Sequence, residues 1–146
     1  MHEQLKLDNQ LCFRLYTASR LITQAYRPLL EPLGLTYPQY LVMMVLWEQD
    51  KQTVCDISHR LSLDTNTITP LLQRMEREGL VSRTKDAVDG RRTLVTLSRK
   101  GRQLEKKAAE VPSCLTQRFH SDCLSIDSIG QMVVTLDQLI ATLKGK

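Results

Sequence analysis

Apolar residues recur at the spacing of helix faces near both ends of the chain, separated by polar and charged positions. Steps of three and four residues predict an amphipathic helix over residues 7–30, which Pro32 and Gly34 end. Its apolar positions are Leu11, Leu15, Ala18, Ile22, Ala25 and Leu29. The segment YLVMMVLWE, after a cap at Thr36, is apolar on nearly every side and predicts a central core helix. A last amphipathic helix over residues 129–143 completes a mainly helical pattern.

Two shorter helices are predicted in the middle of the chain, because a capping residue precedes each of two runs with apolar residues at helical spacing. Thr53 is the first cap, and Asp56 three positions later makes a carboxylate variant of the capping box. Asp64 is the second cap, and Gly79 closes that helix. Two short helices joined by a tight turn are typical of a helix-turn-helix.

The start of the second of these helices is open between two positions. Pro70 lies about one and a half turns after Asp64 and removes a backbone donor there. The helix begins either directly after Asp64 or later, at Thr67 or Thr69, which would place Pro70 in its first turn.

The sequence that follows predicts a β-hairpin and another helix. β-branched and apolar residues in LVSRTK and RTLVTL flank DAVDG, whose Asp-Gly pair is a strong hairpin signal. Ser98 then caps a long helix to about Val111, where Pro112 interrupts or kinks it. A two-stranded hairpin directly after a helix-turn-helix is the wing of a winged helix-turn-helix.

We therefore predict a mainly α chain with a small β-hairpin wing, organised as one domain of 146 residues. Residues 36–100 form the winged helix-turn-helix that binds DNA. Residues 1–35 and 101–146 form dimerisation helices, because the terminal helices carry more apolar surface than one small domain needs. The expected assembly is a homodimer with interleaved termini.

Basic residues are concentrated in one stretch of a chain whose net charge is +4. Between Arg74 and Arg102, nine basic residues stand against four acidic ones, a net charge of +5. Such a segment is typical of a protein that binds the phosphate backbone of double-stranded DNA, although a solvated charged face has the same composition. For a symmetric dimer, the expected DNA partner is a palindromic operator.

The predicted recognition helix and the wing supply side chains that suit DNA. Small hydrogen-bonding residues at the start of the helix fit the major groove, and arginines at the hairpin tip fit a narrow minor groove. The acidic residue in the turn either fixes the turn or holds an arginine in position. The predicted DNA-binding residues are Thr65, Asn66, Thr67, Thr69, Pro70, Gln73, Arg74, Asp89, Arg91 and Arg92.

Composition restricts the other function classes. No apolar run is long enough to span a membrane and the first residues lack the layout of a signal peptide, so we expect a cytoplasmic protein with no membrane partner. The four cysteines are too scattered for a disulfide-stapled domain or a zinc site, and His120 with Cys123 would supply only half of a metal site. We therefore expect no metal, no cofactor and no enzyme activity.

Three motifs carry a family resemblance: LTYPQYLVMMVLWE, LDTNTITPLLQRMEREGLVSR and DGRRTLVTLSRKG. They resemble the winged helix-turn-helix of the multiple antibiotic resistance regulator (MarR) family. Within that family, LDNQLCFRLY and YRPLLEPLGLTYPQY resemble the organic hydroperoxide resistance regulators. The resemblance covers residues 7–112 and weakens after Pro112, and Asn66 stands where relatives commonly have glycine.

The resemblance implies a repressor that releases its operator when an organic hydroperoxide, its inducer, oxidises Cys12. It implies that Tyr26 and Tyr37 hydrogen-bond the Cys12 thiol, with Tyr37 reaching in from the second subunit, and that Tyr16 lies nearby. Phenol hydroxyls favour a thiolate, which is the reactive form of cysteine. Oxidation to the sulfenic acid would break these contacts and change the fit of the two recognition helices to DNA.

A second cysteine can lock such a switch as a disulfide between subunits. The resemblance places this resolving residue just after Pro112, where Cys123 is preferred and Cys114 is the alternative. Cys55 lies in the first turn of the first DNA-binding helix and is assigned a structural role.

Three other functions stay open. A repressor released reversibly by a phenolic or drug-like ligand in the dimer cleft would use Cys12 only for packing, as most buried cysteines are used. A thiol peroxidase would use the same cysteine but turn over with a reductant. An interaction protein that uses its terminal helices would lack salt-dependent DNA binding.

Overall fold

A computed structural model of the protein describes residues 1–119 and 124–145. Residues Met1–Val111 form one compact unit, and the residues from Pro112 onward form a second. Within the described ranges there are seven α-helices and three short strands: α1 (Leu11–Leu30), α2 (Tyr37–Glu48), β1 (Gln52–Thr53), α3 (Val54–Leu61), α4 (Thr65–Arg77), β2 (Val81–Lys85), β3 (Thr93–Leu97), α5 (Arg99–Ala108), α6 (Val111–Phe119) and α7 (Ile126–Lys144). The predicted mainly α chain with a hairpin wing is confirmed. The roles predicted for residues 1–35 and 101–146 in dimerisation stay predictions.

Side-chain caps account for where α2 and α3 begin. The Thr36 hydroxyl accepts a hydrogen bond from the N–H of Gln39, and the Gln39 side chain accepts one from the N–H of Thr36, which is a complete capping box. The Thr53 hydroxyl accepts the N–H of Asp56 at 3.0 Å. Both predicted caps are confirmed.

The helix α4 begins at Thr65, the earlier of the two starts that the sequence left open, so a start at Thr67 or Thr69 is wrong. Asp64 is the N-cap residue, but its side chain makes no capping hydrogen bond. Pro70 therefore lies inside the helix, where it lacks the N–H that would bond to the preceding turn.

The end of α4 is a Schellman motif, as the predicted closing glycine suggested. Gly79 has a φ of 77°, in the left-handed region that favours glycine. The N–H of Leu80 donates to the Met75 carbonyl at 2.9 Å, and the N–H of Gly79 donates to the Glu76 carbonyl at 3.0 Å. This turn leads directly from the recognition helix into the wing.

The wing is the edge of a three-stranded antiparallel sheet in the order β1-β3-β2. Arg83 of β2 and Gln52 of β1 both lie opposite Val95 of β3. The predicted hairpin of β2 and β3 is confirmed, and β1 adds a third strand to its sheet that the sequence did not predict. Two residues are too few to show strand alternation, so β1 depends on its distant partner β3 rather than on a local pattern.

Two other boundaries differ from the predicted ones. The first long helix starts at Leu11 rather than at residue 7, because residues 3–5 and 7–9 form separate 3-10 turns. The helix after Ser98 ends at Ala108, and Pro112 lies in the first turn of the next helix. Proline is tolerated in a first turn because the N–H there has no partner within the helix.

The core of the unit Met1–Val111 lies among α2, α3, α4 and the sheet. Its fully buried side chains include Val42, Met43, Leu46, Ile57, Ile68, Leu72, Met75 and Val95. In contrast, α1 contributes only Leu30 to the buried residues, and α7 contributes none. The terminal helices of a single chain thus leave large apolar side chains exposed: Leu11, Phe13, Leu21, Ile22, Ile126, Met132, Val133, Val134, Ile140 and Leu143.

Over residues 1–119 and 124–145, none of the helices combines the length and the apolar character needed to cross a bilayer.

Candidate nucleic-acid interface and redox site

The helix α4 separates its polar residues from its apolar ones. Ile68, Leu72 and Met75 are completely buried and hold the helix on the core. The predicted DNA-binding residues of α4 lie on the other faces, with Thr69 half-buried and the rest exposed: Thr65, Asn66, Thr67, Pro70, Gln73 and Arg74. The helix therefore presents a polar surface for hydrogen bonding while its apolar face fixes its orientation.

A groove with a volume of about 320 Å³ joins α4 to the wing. It contains two of the predicted threonines and both predicted wing arginines, which are separated by more than twenty residues in the sequence. We call it the α4–wing groove, and its lining residues are Thr53, Val54, Cys55, Thr65, Thr69, Arg83, Arg91, Arg92 and Thr93. Asn66, Thr67, Pro70, Gln73 and Arg74 are not among the residues that line it.

The carboxylate of Asp89 organises the wing tip. It accepts a hydrogen bond from the backbone N–H of Arg91 at 3.1 Å and one from Nε of the same arginine at 3.2 Å. These bonds, from the side chain first and then from the backbone, hold the pKa of Asp89 below its ordinary value. The same carboxylate thus both fixes the turn and holds an arginine whose side chain stays 93% exposed.

Arg83 is a residue of the groove that the sequence did not single out. Its guanidinium lies 3.2 Å from the Glu76 carboxylate, and its backbone N–H donates to the same carboxylate at 2.9 Å. The backbone bond first and the guanidinium second lower the pKa of Glu76. The only signal in the sequence was membership of the basic stretch, because the direction of the side chain depends on the register of β2.

Cys55 also lines the groove, and its side chain is exposed. The sequence assigned it a structural role, and its place beside the recognition helix follows only from how α3 packs near α4. Among the described residues, Cys55 forms no disulfide with another cysteine.

Cys12 is exposed and lies in the first turn of α1. Tyr26 follows fourteen residues later on the same helix. At the rise of an α-helix, this separation is about 21 Å along the axis. A hydrogen bond between Tyr26 and Cys12 within one chain is therefore excluded.

Tyr26 lies instead beside Tyr37, with ring centroids 4.8 Å apart. Burial, and then the neighbouring phenols, raise the pKa of Tyr26 to about 12. Burial raises the pKa of Tyr37 as well. Both hydroxyls are thus protonated donors at neutral pH, whereas Tyr16 is 68% exposed and lies one turn after Cys12.

The two predicted resolving cysteines differ in what can be described. Cys114 lies in α6 and is half-buried. Cys123 and His120 fall outside the described residues. Within the described ranges, no three His, Cys, Asp or Glu side chains lie together as a metal site would require.

A second cavity, also of about 320 Å³, lies between α1 and α2. Tyr37 is part of its wall. Its lining residues are Thr23, Gln24, Arg27, Leu30, Glu31, Leu35, Thr36, Tyr37 and Pro38.

Comparisons with known proteins agree with this geometry. The family model of the transcriptional regulators SarA/Rot matches residues 24–108. The organic hydroperoxide resistance transcriptional regulator of Bacillus subtilis is 44% identical over 113 residues, which cover 77% of this chain and 77% of that protein.

Solved structures of AbfR, a protein of Staphylococcus epidermidis, are also similar. Reduced AbfR bound to DNA is 37% identical with a TM-score of 0.82, over 99% of this chain and 96% of that one. Overoxidised AbfR bound to DNA is 36% identical with a TM-score of 0.80, over 99% and 100%. AbfR with its disulfide formed is 38% identical with a TM-score of 0.68, over 99% and 96%.

Proposed function

Because the chain belongs to the MarR family of winged-helix transcriptional regulators, we propose that it is a DNA-binding repressor that releases its operator when an organic hydroperoxide oxidises Cys12. The observation that carries the proposal is the α4–wing groove, where threonines of α4 and arginines of the wing face one concave surface. Such a surface can contact base edges and phosphates of one DNA segment together.

The two halves of the groove suit different parts of the duplex. The hydroxyls of Thr65 and Thr69 in the groove, and the amide of Asn66 outside it on the exposed start of α4, are on short side chains that can hydrogen-bond base edges in the major groove. Arg91, which Asp89 holds in an exposed position, suits the narrow minor groove beside it. Arg92 and Arg83 add positive charge toward the phosphates.

A homodimer on a palindromic operator is part of the proposal. The apolar side chains that α1 and α7 expose in a single chain support it, since a second copy would remove them from water. Two recognition helices related by a two-fold axis would then read two half-sites of the operator.

The proposed sensing step is a two-electron oxidation of sulfur. The Cys12 thiolate attacks the outer oxygen of the hydroperoxide, a sulfur–oxygen bond forms, and the O–O bond breaks. Cys12 becomes the sulfenic acid, while the hydroperoxide is reduced to the alcohol after its alkoxide takes up a proton. The exposure of Cys12 in a single chain supports access for the oxidant.

In the proposed dimer, both Tyr26 and Tyr37 act on the Cys12 of the other subunit. Their rings lie together, and the helical distance separates Tyr26 from the Cys12 of its own chain. Two protonated phenols can donate hydrogen bonds to a thiolate, which stabilises the reactive form. Addition of oxygen to the sulfur would displace these donors and move the elements that carry them.

A second thiol completes the proposed switch. The sulfenic acid of Cys12 would condense with the thiol of Cys123 or Cys114 of the other subunit, forming a disulfide and releasing water. The structures of AbfR support treating disulfide formation as a step separate from oxidation. They include a reduced form and an overoxidised form bound to DNA, and also a form with its disulfide formed. The overoxidised form of that relative is therefore able to bind DNA.

The test is DNA binding measured at each oxidation stage. Reduced protein first selects a palindromic duplex from a random library, and its affinity for this duplex is then followed during titration with cumene hydroperoxide. Intact mass reports addition of oxygen to Cys12, and a non-reducing gel reports the crosslink between subunits. The variants Cys12→Ser, Cys114→Ser and Cys123→Ser are compared with Cys55→Ser as the cysteine control. Each variant is measured relative to its own reduced form, because Cys55 lines the α4–wing groove.

The expected result is release of the parent protein and of Cys55→Ser, but not of Cys12→Ser. Loss of the crosslink in only one of the other two variants identifies the resolving cysteine. If Cys12→Ser is released as readily as the parent, the redox proposal is overturned. Steady consumption of hydroperoxide with a dithiol reductant, without DNA affinity, would instead identify a thiol peroxidase.

Release by a reversible ligand is the second candidate function. The cavity between α1 and α2, with Arg27 and Tyr37 in its wall, favours it because a phenolic or anionic compound would find a cation and a hydroxyl there. Release by salicylate without any hydroperoxide, and equally in Cys12→Ser, would support this candidate.

A further inference from the structure

Four aromatic side chains form a continuous row from α1 along α2. Tyr26 contacts Tyr37, and Tyr40 lies 5.6 Å from Tyr26 and 6.4 Å from Tyr37 between ring centroids. Tyr40 is in turn 6.5 Å from Trp47 in an edge-to-face arrangement. These separations lie within the range of favourable aromatic contacts.

Three members of this row belong to one face of α2. Tyr37, Tyr40 and Trp47 are spaced by three and seven residues, so the first and the last are separated by about 15 Å along a single helix. The helix α2 thus joins Tyr37 to Trp47 by one continuous ladder of backbone hydrogen bonds, along which a displacement at one end can reach the other.

At that end, Trp47 is bonded to the base of the wing. Its indole N–H donates to the carbonyl of Gly101 at 2.9 Å, across 54 positions of sequence. Gly101 lies in the first turn of α5, where its own N–H donates to the Ser98 hydroxyl at 3.0 Å. The bond thus connects α2 to the point where β3 passes into α5.

The backbone of Gly101 is packed closely against the wing. A Cβ on this residue would collide with the carbonyl oxygen of Leu80 and lie 3.2 Å from Leu97 Cδ2 and 3.3 Å from Met43 Cε. Leu80 precedes β2, and Leu97 ends β3, so the backbone of Gly101 is wedged against both strands of the wing. A pull on its carbonyl is transmitted to those strands because a packed interior has few voids to absorb it.

We propose that Trp47 is a positioning residue that couples the Tyr26–Tyr37 pair to the wing through its hydrogen bond to Gly101. This inference rests on the proposed function, in which the tyrosine pair responds to oxidation of Cys12. A change at the pair moves α2, Trp47 carries that movement to Gly101, and the wing arginines change their position relative to α4. Trp47 touches neither the oxidant nor the DNA.

Two measurements test this role. The first uses the fact that Trp47 is the single tryptophan of the chain, so its fluorescence emission reports its surroundings directly. Titration with cumene hydroperoxide is expected to change the emission of the parent protein in proportion to oxygen added to Cys12. Cys12→Ser is expected to show no change.

The second measurement uses Trp47→Phe, which keeps an aromatic ring against Tyr40 and removes the N–H donor. We expect its reduced form to bind the selected duplex within about threefold of the parent, because no DNA-facing residue is altered. Oxidation is expected to weaken DNA binding by this variant much less than binding by the parent. The ratio of reduced to oxidised affinity should be at least about five times smaller than the parent's ratio, because one part-buried hydrogen bond is lost from the coupling. The extent of Cys12 oxidation, measured by mass, should equal that of the parent.

Glu78→Ala is the matched control, because it removes a different hydrogen bond of α2. The Gln39 side chain of α2 donates to the Glu78 carboxylate at 3.1 Å, and neither residue belongs to the aromatic row. We expect any change in the DNA affinity of this variant to be equal before and after oxidation, so the ratio of the two affinities is unchanged. Tyr40→Leu, which interrupts the row in its middle, should reduce the ratio as Trp47→Phe does, and the double variant should add nothing further.

The outcomes separate this inference from the proposed function. If the parent releases DNA but Trp47→Phe releases it to the same extent, the coupling role is overturned while the repressor proposal stands. The coupling role is also overturned if Glu78→Ala reduces the ratio as strongly as Trp47→Phe, because the coupling would then run through the bond between Gln39 of α2 and Glu78. If oxidised parent protein stays on DNA, the proposed function fails first and the coupling role fails with it.

Discussion

Arg91 combines nearly full exposure with a fixed geometry, and both come from its neighbour Asp89. The hydrogen bonds to the carboxylate limit the rotamers of an otherwise free side chain, so less conformational entropy is lost when it contacts DNA. Arg83, which also lines the groove, is held in the same manner by Glu76.

Replacement of Arg91 by alanine tests this reading of the wing. We expect Arg91→Ala to weaken binding of the selected duplex at least about fivefold and to lower the slope of log K against log salt by about one. Lys107→Ala removes the same charge from an exposed position of α5 that does not line the groove, and should change neither quantity. Fluorescence anisotropy at several salt concentrations measures both the affinity and the salt slope. Equal slopes for the two variants would show that Arg91 does not contact the DNA phosphates.

Ionisation of Tyr26 makes a second prediction for a single residue. Burial first and the adjacent phenols second raise its pKa from 10.0 to about 12. The folded state therefore holds this proton more tightly than the unfolded state, and the resulting stability is complete below about pH 10 and lost as the pH rises through about 12. Urea unfolding between these pH values should show a smaller decline for Tyr26→Phe than for the parent, and an identical decline would contradict the burial of the hydroxyl.

Among the structural elements, α4 and its two ends decide how DNA-facing residues are presented. Its buried face fixes the rotation of the helix, and the Schellman turn at Gly79 sets the direction in which the chain enters β2. The tight packing of Gly101 then fixes where α5 leaves the wing. Local backbone geometry at two glycines thus positions the wing relative to α4.

Substitution of Gly79 should reveal the cost of this turn. Space is available for a Cβ at Gly79, but its φ of +77° is strained for any other residue, so Gly79→Ala should lower the free energy of unfolding by about 1–2 kcal/mol. Gly90→Ala is the control, because Gly90 has equal space without the left-handed φ, and its effect should stay within about 0.5 kcal/mol. Urea denaturation measures the free energy of unfolding of both variants. Equal losses would show that the turn does not require glycine at position 79.

The position of Pro70 in α4 is the feature of a helix that the sequence predicted least well. It lies in the interior of α4, where proline usually costs about 3 kcal/mol or more. We expect Pro70→Ala to raise the free energy of unfolding, by up to about that amount, because a backbone hydrogen bond is restored. Pro38→Ala, in the first turn of α2, should give no comparable gain, and thermal unfolding of both variants would show whether position decides the sign.

At the level of the whole molecule, a single chain leaves its terminal helices without apolar partners of sufficient area. The exposed apolar residues of α7 are distributed along all of its length, which a stable isolated helix would not require. We propose that a second copy of the chain covers these apolar residues. DNA binding by two recognition helices would then depend on this dimer.

Charges placed in α7 test this dependence. The double variant Val133→Glu with Ile140→Glu is expected to reduce the sedimentation mass to about half and to weaken binding of the palindromic duplex at least about tenfold, since one half-site contact is lost. Gln138→Glu adds charge at a polar position of the same helix and should leave mass and affinity unchanged. A double variant that sediments and binds like the parent would argue against α7 as the dimer interface.

Prediction from the sequence succeeded where the chemistry was local. The caps at Thr36 and Thr53, the Asp-Gly turn of the wing and the apolar spacing of α4 each depend on residues a few positions apart, and all appear in the fold. The strand β1 and the end of α5 were missed because a two-residue pairing and a break before Pro112 leave no periodic signal.

The arrangement of the functional groups required the folded chain. No local pattern could show that Cys55 and Arg83 share a groove with the wing, or that Tyr26 is paired with Tyr37 and distant from its own Cys12. Nor could it show that Trp47 reaches Gly101. Capping and periodicity are set by backbone neighbours, whereas these contacts depend on how whole helices and strands pack, which is a property of the complete core.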